Sequence, residues 1–361
     1  MKSVIVGCGQ IADAHVSELK KIEGVEVIGV CDIHEIMATQ IATRFGVNGV
    51  YTDYTKLLSE CKPDVVHITT PPATHLPLGK QAMSAGCHVY IEKPFGVNSN
   101  QAKELIDTAR RKALKITIGY NHYYDQPARK VRRLINEGVL GNIVHIESFL
   151  GYDLSGPFGS IMMSNPNHWV HNLPGKIFQN NLNHAVHIIT EFMHDENPEV
   201  IAIAKRLDQY QHFGDIRDEM MDELRVIIEG ETMTAYITFS SHIKPMGYFA
   251  RVYGTKNSLT LDWISKTVVV DSYPRIPTVL GKLFPPFTYG MRYIREGLNN
   301  LRRFIYSDFH YFAGLNLLIK KFYESIKKET EPPIPYDKII LDTIIMQKIF
   351  EDINKREDNK K

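Results

Sequence analysis

A lysine stands between a carboxylate and a proline where an apolar strand ends, in Val89-Tyr90-Ile91-Glu92-Lys93-Pro94. Lysine is seldom buried unless paired, so two readings stand side by side. One is a structural Glu–Lys ion pair; the other is an ammonium aimed into a cleft, holding or protonating a substrate oxygen. A second constellation opens the chain. Val4-Ile5-Val6-Gly7-Cys8-Gly9-Gln10-Ile11-Ala12 runs a strand into a glycine turn and a helix, and the next strand, Val25–Cys31, ends on Asp32, 23 positions after Gly9. Each part has its own task in holding a dinucleotide. Gly7 makes the tight turn, Gly9 lets the backbone approach a pyrophosphate, and Ala12 lets the helix pack on the sheet. The helix start at Gln10 and Ile11 offers free N–H groups to phosphates. Asp32, with Ile33 after it, stands at a strand tip to accept from a ribose diol. Its charge repels a 2′-phosphate, and no arginine follows before Arg44, so NAD is favoured over NADP. Cys8 is either a thiol acidified by the helix start or, more simply, a small filler. Thr69-Thr70-Pro71-Pro72-Ala73-Thr74-His75 follows another strand, its prolines making a rigid wall and its hydroxyls placed to face a cofactor ribose or phosphate.

The elements that must position these groups alternate. Strands at Val4–Val6, Val25–Cys31, Val65–Thr69, Val89–Ile91 and Ile116–Ile118 are separated by helical stretches such as Glu35–Phe45, His75–Ala85 and Asn100–Lys112. That rhythm predicts a parallel sheet with helices on both faces. After about residue 120 the character changes. Val144–Phe149, Val200–Leu207, Asp222–Ile228, Met233–Ser240, Gly247–Tyr253 and Ser258–Asp262 read as longer strands of a mostly antiparallel sheet, with helices at Pro127–Glu137 and Asn183–His194 to cover one face. The chain is thus expected to be α/β: a Rossmann domain over 1–120 and an α+β domain with a large open sheet over 121–361, whose last helix packs back on the first domain.

In this order, the Gly-x-Gly-x-x-Ala start, Asp32, Thr70-Pro71-Pro72-Ala73-Thr74-His75, Glu92-Lys93-Pro94, Gly119-Tyr120-Asn121 and Pro332-Pro333-Ile334-Pro335 resemble the Gfo/Idh/MocA family of sugar and cyclitol oxidoreductases. The resemblance implies an NAD(P)-binding domain followed by an open-sheet domain that forms dimer and tetramer contacts. It also implies that Lys93 and a histidine of the second domain flank the reacting hydroxyl or carbonyl beside the nicotinamide. Many members carry Gly-Gly-x-x-x-Asp-x-Gly-x-His there; this chain has Gly175-Lys176-Ile177-Phe178-Gln179-Asn180-Asn181-Leu182-Asn183-His184. His184 matches the histidine, whereas Asn180 replaces the aspartate and Leu182 a glycine, so a charge is missing. The implied reaction moves a hydride between nicotinamide and a carbinol or keto carbon of a sugar, sugar derivative or cyclitol. The hydroxyl proton passes to His184, and Lys93 stabilises the oxygen. Glu92, Lys93, His75 and the Thr70–Pro72 wall belong to the expected cofactor site. Asn121, His122, Trp169 and Asn180 join Lys93 and His184 on the expected substrate side. The departures at Asn180 and Leu182 keep a redox-neutral, NAD-retaining epimerase or glycosidase cycle open. A non-catalytic NAD-linked sensor is a third class, against which Lys93 and His184 both argue.

Composition bounds the rest. The 361 residues suit two cores, and a net charge of +1 argues for neither nucleic acid nor an anionic membrane. Four cysteines without Cys-x-x-Cys spacing, no span long enough to cross a bilayer, and a strand that opens at residue 3 point to free thiols and a cytoplasmic location. His168, His171, His184 and His187 lack a carboxylate or thiolate set to complete a metal site, so no metal is expected; His187 reads as a packing residue. Phe284–Phe312, dense in arginine and aromatics, reads as a subunit contact ahead of an anionic-sugar or diphosphate site.

Overall fold

A computed structural model describes all residues except 155, 157–158, 160–161, 163–164, 166, 208–220, 273–279, 307–308 and 359–361. The chain forms two compact units, Met1–Asn121 with Gly314–Ile344, and His122–Ala313 with Ile345–Lys361.

The first unit is built on six short strands, β1 (Lys2–Val6), β2 (Glu26–Cys31), β3 (Gly49–Tyr51), β4 (Val65–Ile68), β5 (His88–Ile91) and β6 (Ile116–Ile118). They pair in the order β3-β2-β1-β4-β5-β6, every pair parallel. The order reverses between β1 and β4, the switch point at whose carboxyl ends such sheets bind ligands. Helices α1 (Gln10–Leu19), α2 (Glu35–Phe45), α3 (Tyr54–Cys61), α4 (His75–Ser84) and α5 (Ser99–Arg111) make the crossovers. Asn98 and Asp53 cap α5 and α3 by accepting from Gln101 N and Lys56 N. The strands are continuous apolar runs because both faces are covered: Val4, Ile5, Val66, Ile68, Val89 and Ile91 are fully buried, each stabilising the fold by about 1.5–3 kcal/mol.

The second unit carries a seven-stranded sheet of β7 (Ile143–Asp153), β8 (Glu199–Lys205), β9 (Glu223–Glu229), β10 (Thr234–Ser240), β11 (His242–Gly254), β12 (Ser258–Asp262) and β13 (Thr267–Asp271). The order is β13-β12-β11-β7-β10-β9-β8, antiparallel except where β10 runs parallel to β7. Along β9 and β10, Leu224, Val226, Ile228, Ala235, Ile237 and Phe239 alternate into the core. Helices α6 (Gln126–Asn136), α7 (Lys176–Asn181) and α8 (Asn183–Phe192) belong to this unit, as does the 21-residue α9 (Pro285–Ile305). Two further helices follow, α10 (Ala313–Lys327) and α11 (Tyr336–Asp358). Strand β11 begins earlier than its alternation predicts, because its pairing with β7 shifts register between His242 and Gly247 and accommodates Pro245 there. Helix α9 faces against its sequence pattern. Glu296 is buried in a 2.7 Å pair with Lys130, while Phe287, Met291, Ile294 and Leu298 stay exposed. Among the described residues, no helix is long and apolar enough to cross a membrane.

Candidate functional site

In the first unit, the carboxyl ends of β1 and β4 meet at Gly7 and Thr70. Gly7 has φ +93°, and a Cβ on it would lie 2.7 Å from Thr70 Cγ2 and 2.8 Å from Thr70 N. Both the backbone conformation and the space demand glycine. Gly7→Ala is therefore expected to displace the Thr70 loop and cost about 1–3 kcal/mol of stability along with most NAD affinity, checked by thermal melts and titration calorimetry. Gly9 is different. A Cβ there would meet nothing within 4 Å and its φ of −75° suits any residue, so nothing inside the chain requires glycine. Gly9 caps α1 without a side-chain hydrogen bond, leaving the N–H groups at Gln10 and Ile11 at an uncapped helix start. Open space over Gly9 and an uncapped N-terminus fit a diphosphate.

Asp32 closes the same end. Its carboxylate accepts from Cys8 N at 2.7 Å and from His34 N at 2.9 Å, which fixes it beside the turn. Ile33 next to it is 84% exposed. Arg44 pairs with Asp13. Burial, then the Asp32 charge, pushes the Cys8 thiol up to about 12, so the turn does not acidify it and the filler reading stands. All four cysteines are free thiols.

The wall after β4 is fastened from below. Thr69 Oγ1 donates to Gly7 O at 2.6 Å, and Thr74 Oγ1 contacts Thr70 Oγ1 at 2.7 Å. His75 is fully buried, with Nε2 2.8 Å from Thr70 O and Nδ1 3.0 Å from Pro94 O. It brackets the Thr70 and Pro94 segments together, and burial lowers its pKa despite those contacts. Pro72 is buried and Pro71 exposed.

Lys93 follows β5 at the same edge and is half-buried. Burial lowers its pKa from the ordinary lysine range, and the Glu92 charge opposes that shift. Glu92 itself is buried; its Oε1 lies 2.8 Å from His15 Nε2 and its Oε2 accepts from Lys93 N at 3.3 Å. A Cβ at Gly119 would come within 2.4 Å of Glu92 Oε1, so the carboxylate occupies the space that glycine leaves.

In the second unit, His184 lies half-buried near the start of α8. Its ring stands edge-on to His122, with centroids 4.9 Å apart, and 6.2 Å from Tyr248. His122 Nδ1 is 2.8 Å from Asp125 Oδ2. Tyr248 donates to His184 O at 2.7 Å and stacks on Trp263 at 4.2 Å. His187, one turn along α8, is buried, and desolvation followed by His122 and Arg132 holds it down to about 3. It stays neutral at working pH, as a packing residue does. Asn180 is buried on α7, and Trp169 is half-buried in a short 3₁₀ turn with its ring 5.4 Å from His168. Asn121 donates its N–H to Gly119 O at 3.0 Å, at the first unit's sheet edge. Among the described residues, no group of three His, Cys, Asp or Glu could hold a metal. Asp125, Tyr248 and Trp263 carry no motif signal. The Asp125–His122 spacing of three residues in a turn was the only local cue to them.

Two family models match parts of the chain. Residues 1–120 match the family model described as oxidoreductase family, NAD-binding Rossmann fold, and residues 128–260 match the GFO/IDH/MocA C-terminal domain. D-glucoside 3-dehydrogenase of Escherichia coli K12 is 33% identical over 144 residues, 40% of this chain and 41% of that protein. A glycosyl hydrolase family 109 protein of Shewanella sp. W3-18-1 is 27% identical over 158 residues, 41% of this chain and 34% of the relative. The chain thus matches less than half the length of either. The WlbA dehydrogenase of Chromobacterium violaceum, solved with NADH and UDP-GlcNAcA, superposes with a TM-score of 0.73 at 16% identity, over 99% of this chain and 94% of that one. At that identity the likeness speaks for the fold.

Proposed function

The chain belongs to the Gfo/Idh/MocA family of oxidoreductases, and on that premise we propose that it oxidises or reduces a carbinol or keto carbon of a sugar, sugar derivative or cyclitol with NAD. The observation that carries the reading is Lys93: a half-buried ammonium, lowered in pKa by burial, at the sheet edge where Rossmann folds take their ligands. When bound, NAD supplies the hydride acceptor or donor. Gly9, Gln10 and Ile11 hold its diphosphate, Asp32 its ribose diol, and Thr70, Pro71 and Pro72 wall the cofactor. Glu92 and His75 hold this edge from beneath.

Lys93 places its ammonium on the reacting oxygen and stabilises the charge that develops there. His184 takes the hydroxyl proton on oxidation and returns it on reduction. The missing charge at Asn180 has a local substitute, since Asp125 orients His122 against the His184 ring. Asn121, His122, Trp169 and Asn180 contact the substrate. The names of two relatives, a glucoside dehydrogenase and a dehydrogenase solved with a nucleotide sugar, support that substrate class. The exposed Ile201, Ile203 and Ile227 on the open sheet face support assembly of copies, which sedimentation would read.

A second reading has specific support. The family 109 glycosyl hydrolase relative, together with Asn180 and Leu182, favours a cycle in which NAD stays bound and returns what it takes. Denaturing the purified protein and weighing released nicotinamide separates the two. Stoichiometric retained NAD(H) supports the redox-neutral cycle. Empty protein that binds NAD better than NADP and reduces it with sugars supports the dehydrogenase, and failure of both NAD retention and NAD binding overturns the proposal.

A further inference from the structure

Four hydrogen bonds join five buried side chains of the first unit into one line. Ser3 Oγ lies 2.7 Å from the Tyr323 hydroxyl, and that hydroxyl lies 2.9 Å from His67 Nε2. His67 Nδ1 is 2.9 Å from His15 Nδ1, and His15 Nε2 is 2.8 Å from Glu92 Oε1. Ser3, His15 and His67 are 0% exposed, Tyr323 1% and Glu92 8%. The five come from β1, α10, β4, α1 and the residue after β5, and the Tyr90 ring stacks on His67 at 4.8 Å.

Simple valence orients this line. A carboxylate oxygen has no proton to give, so the proton between His15 and Glu92 sits on His15 Nε2. With one proton on His15, its Nδ1 is bare, and the single proton between the two Nδ1 atoms belongs to His67. His67 Nε2 is left to accept from Tyr323, whose oxygen accepts from Ser3. Every donor points toward Glu92. Burial holds His67 well below the ordinary histidine range, which keeps it neutral as the line requires.

We propose that this line is a brace for Lys93, in which His15 fixes the Glu92 carboxylate in one orientation beside the lysine while His67 and Tyr323 fix His15. The inference deepens the reading of Lys93 given above and rests on it. The titratable groups acting on Glu92 are His15 from α1, His75 at the start of α4, Tyr90 from β5 and Lys93 itself; Gly119 after β6 leaves the carboxylate its room. The Glu92 charge opposes the tendency of burial to strip the Lys93 ammonium. His15, His67 and Tyr323 are positioning residues, since they act on Lys93 through Glu92.

The full chain tests this without turnover. Reductive methylation with ¹³C-formaldehyde gives a Lys93 resonance, assigned by its loss in Lys93→Arg, whose titration can be followed by NMR. His15→Leu is expected to raise the Lys93 acid constant about tenfold, Tyr323→Phe to raise it less, and His15→Gln, which keeps an N–H for Glu92, to restore part of the change. Unchanged titration in the folded variants overturns the brace. The unmodified protein supplies a second measurement that needs no variant: ¹⁵N shifts should place the His15 proton on Nε2 and the His67 proton on Nδ1. The opposite tautomers overturn it as well. Because neither readout requires a substrate, a protein with shifted Lys93 titration but no oxidoreductase activity would sink the functional reading and leave the brace standing.

Discussion

Lys93→Ala is expected to lower kcat by about 10²- to 10⁴-fold while NAD binding by calorimetry stays unchanged. The split follows from where the side chain sits. The diphosphate and ribose contacts proposed at Gly9, Gln10, Ile11 and Asp32 are made by other segments, so losing the ammonium leaves them in place. What is lost is an ammonium whose charge Glu92 favours against burial. Lys93→Arg keeps a charge but spreads it over a planar fork that cannot give up its proton, so it is expected to rescue little. Stability should move the other way. A lysine whose folded-state pKa is lowered binds protons less tightly in the native protein than in the unfolded chain. Native stability therefore rises with pH between the lowered value and the ordinary lysine range, and below that window the full cost remains. Lys93→Met, which removes the charge and keeps the length, should melt at or above the wild-type temperature at neutral pH. A variant that kept near-wild-type kcat would remove Lys93 from the chemistry and return Glu92-Lys93 to a structural pair.

Local chemistry was the legible part of this chain. Gly7, Asp32 and the Thr70 wall could be read because a turn, a strand tip and a proline pair each write themselves into a few adjacent residues. The parallel first sheet was legible for a similar reason, since strands buried on both faces become unbroken apolar runs. The short β3 escaped notice because three residues of strand carry no periodicity. Long-range pairing escaped altogether. Tyr323 meets Ser3 across 320 positions and His67 across 256, and no local pattern announces that a histidine on β4 will face one on α1. His184 was found only through its family motif. Its neighbour Tyr248 lies on β11, 64 residues beyond the carbonyl it binds, and reads in sequence as one more aromatic in a strand. Helix α9 shows the opposite case. Its arginines and aromatics were visible, but which side faced the protein depended on Glu296 finding Lys130.

His184→Ala is expected to reduce kcat about 10²- to 10⁴-fold, and Asp125→Asn about tenfold, the ~1.4 kcal/mol that one oriented hydrogen bond contributes. The two losses should differ in kind. His184→Ala removes the group proposed to exchange the hydroxyl proton, so the deficit should shrink when a small imidazole is added to the assay. Asp125→Asn leaves the ring in place and removes the charge that orients His122 at 2.8 Å against it. Its signature should be a loss of rate that added imidazole does not restore, because the ring that would exchange the proton is still present. His187 takes no part in that exchange: held at about 3 by burial, it is already neutral wherever the enzyme works. It does affect folding, since a histidine with a lowered native pKa makes stability fall as pH drops from about 6.5 toward 3. Slow inactivation at acid pH is therefore expected to trace to His187, checked by following residual activity and melting temperature as pH falls through that range. If Asp125→Asn cost no rate, the substitute for the charge missing at Asn180 would have to lie elsewhere in the second unit.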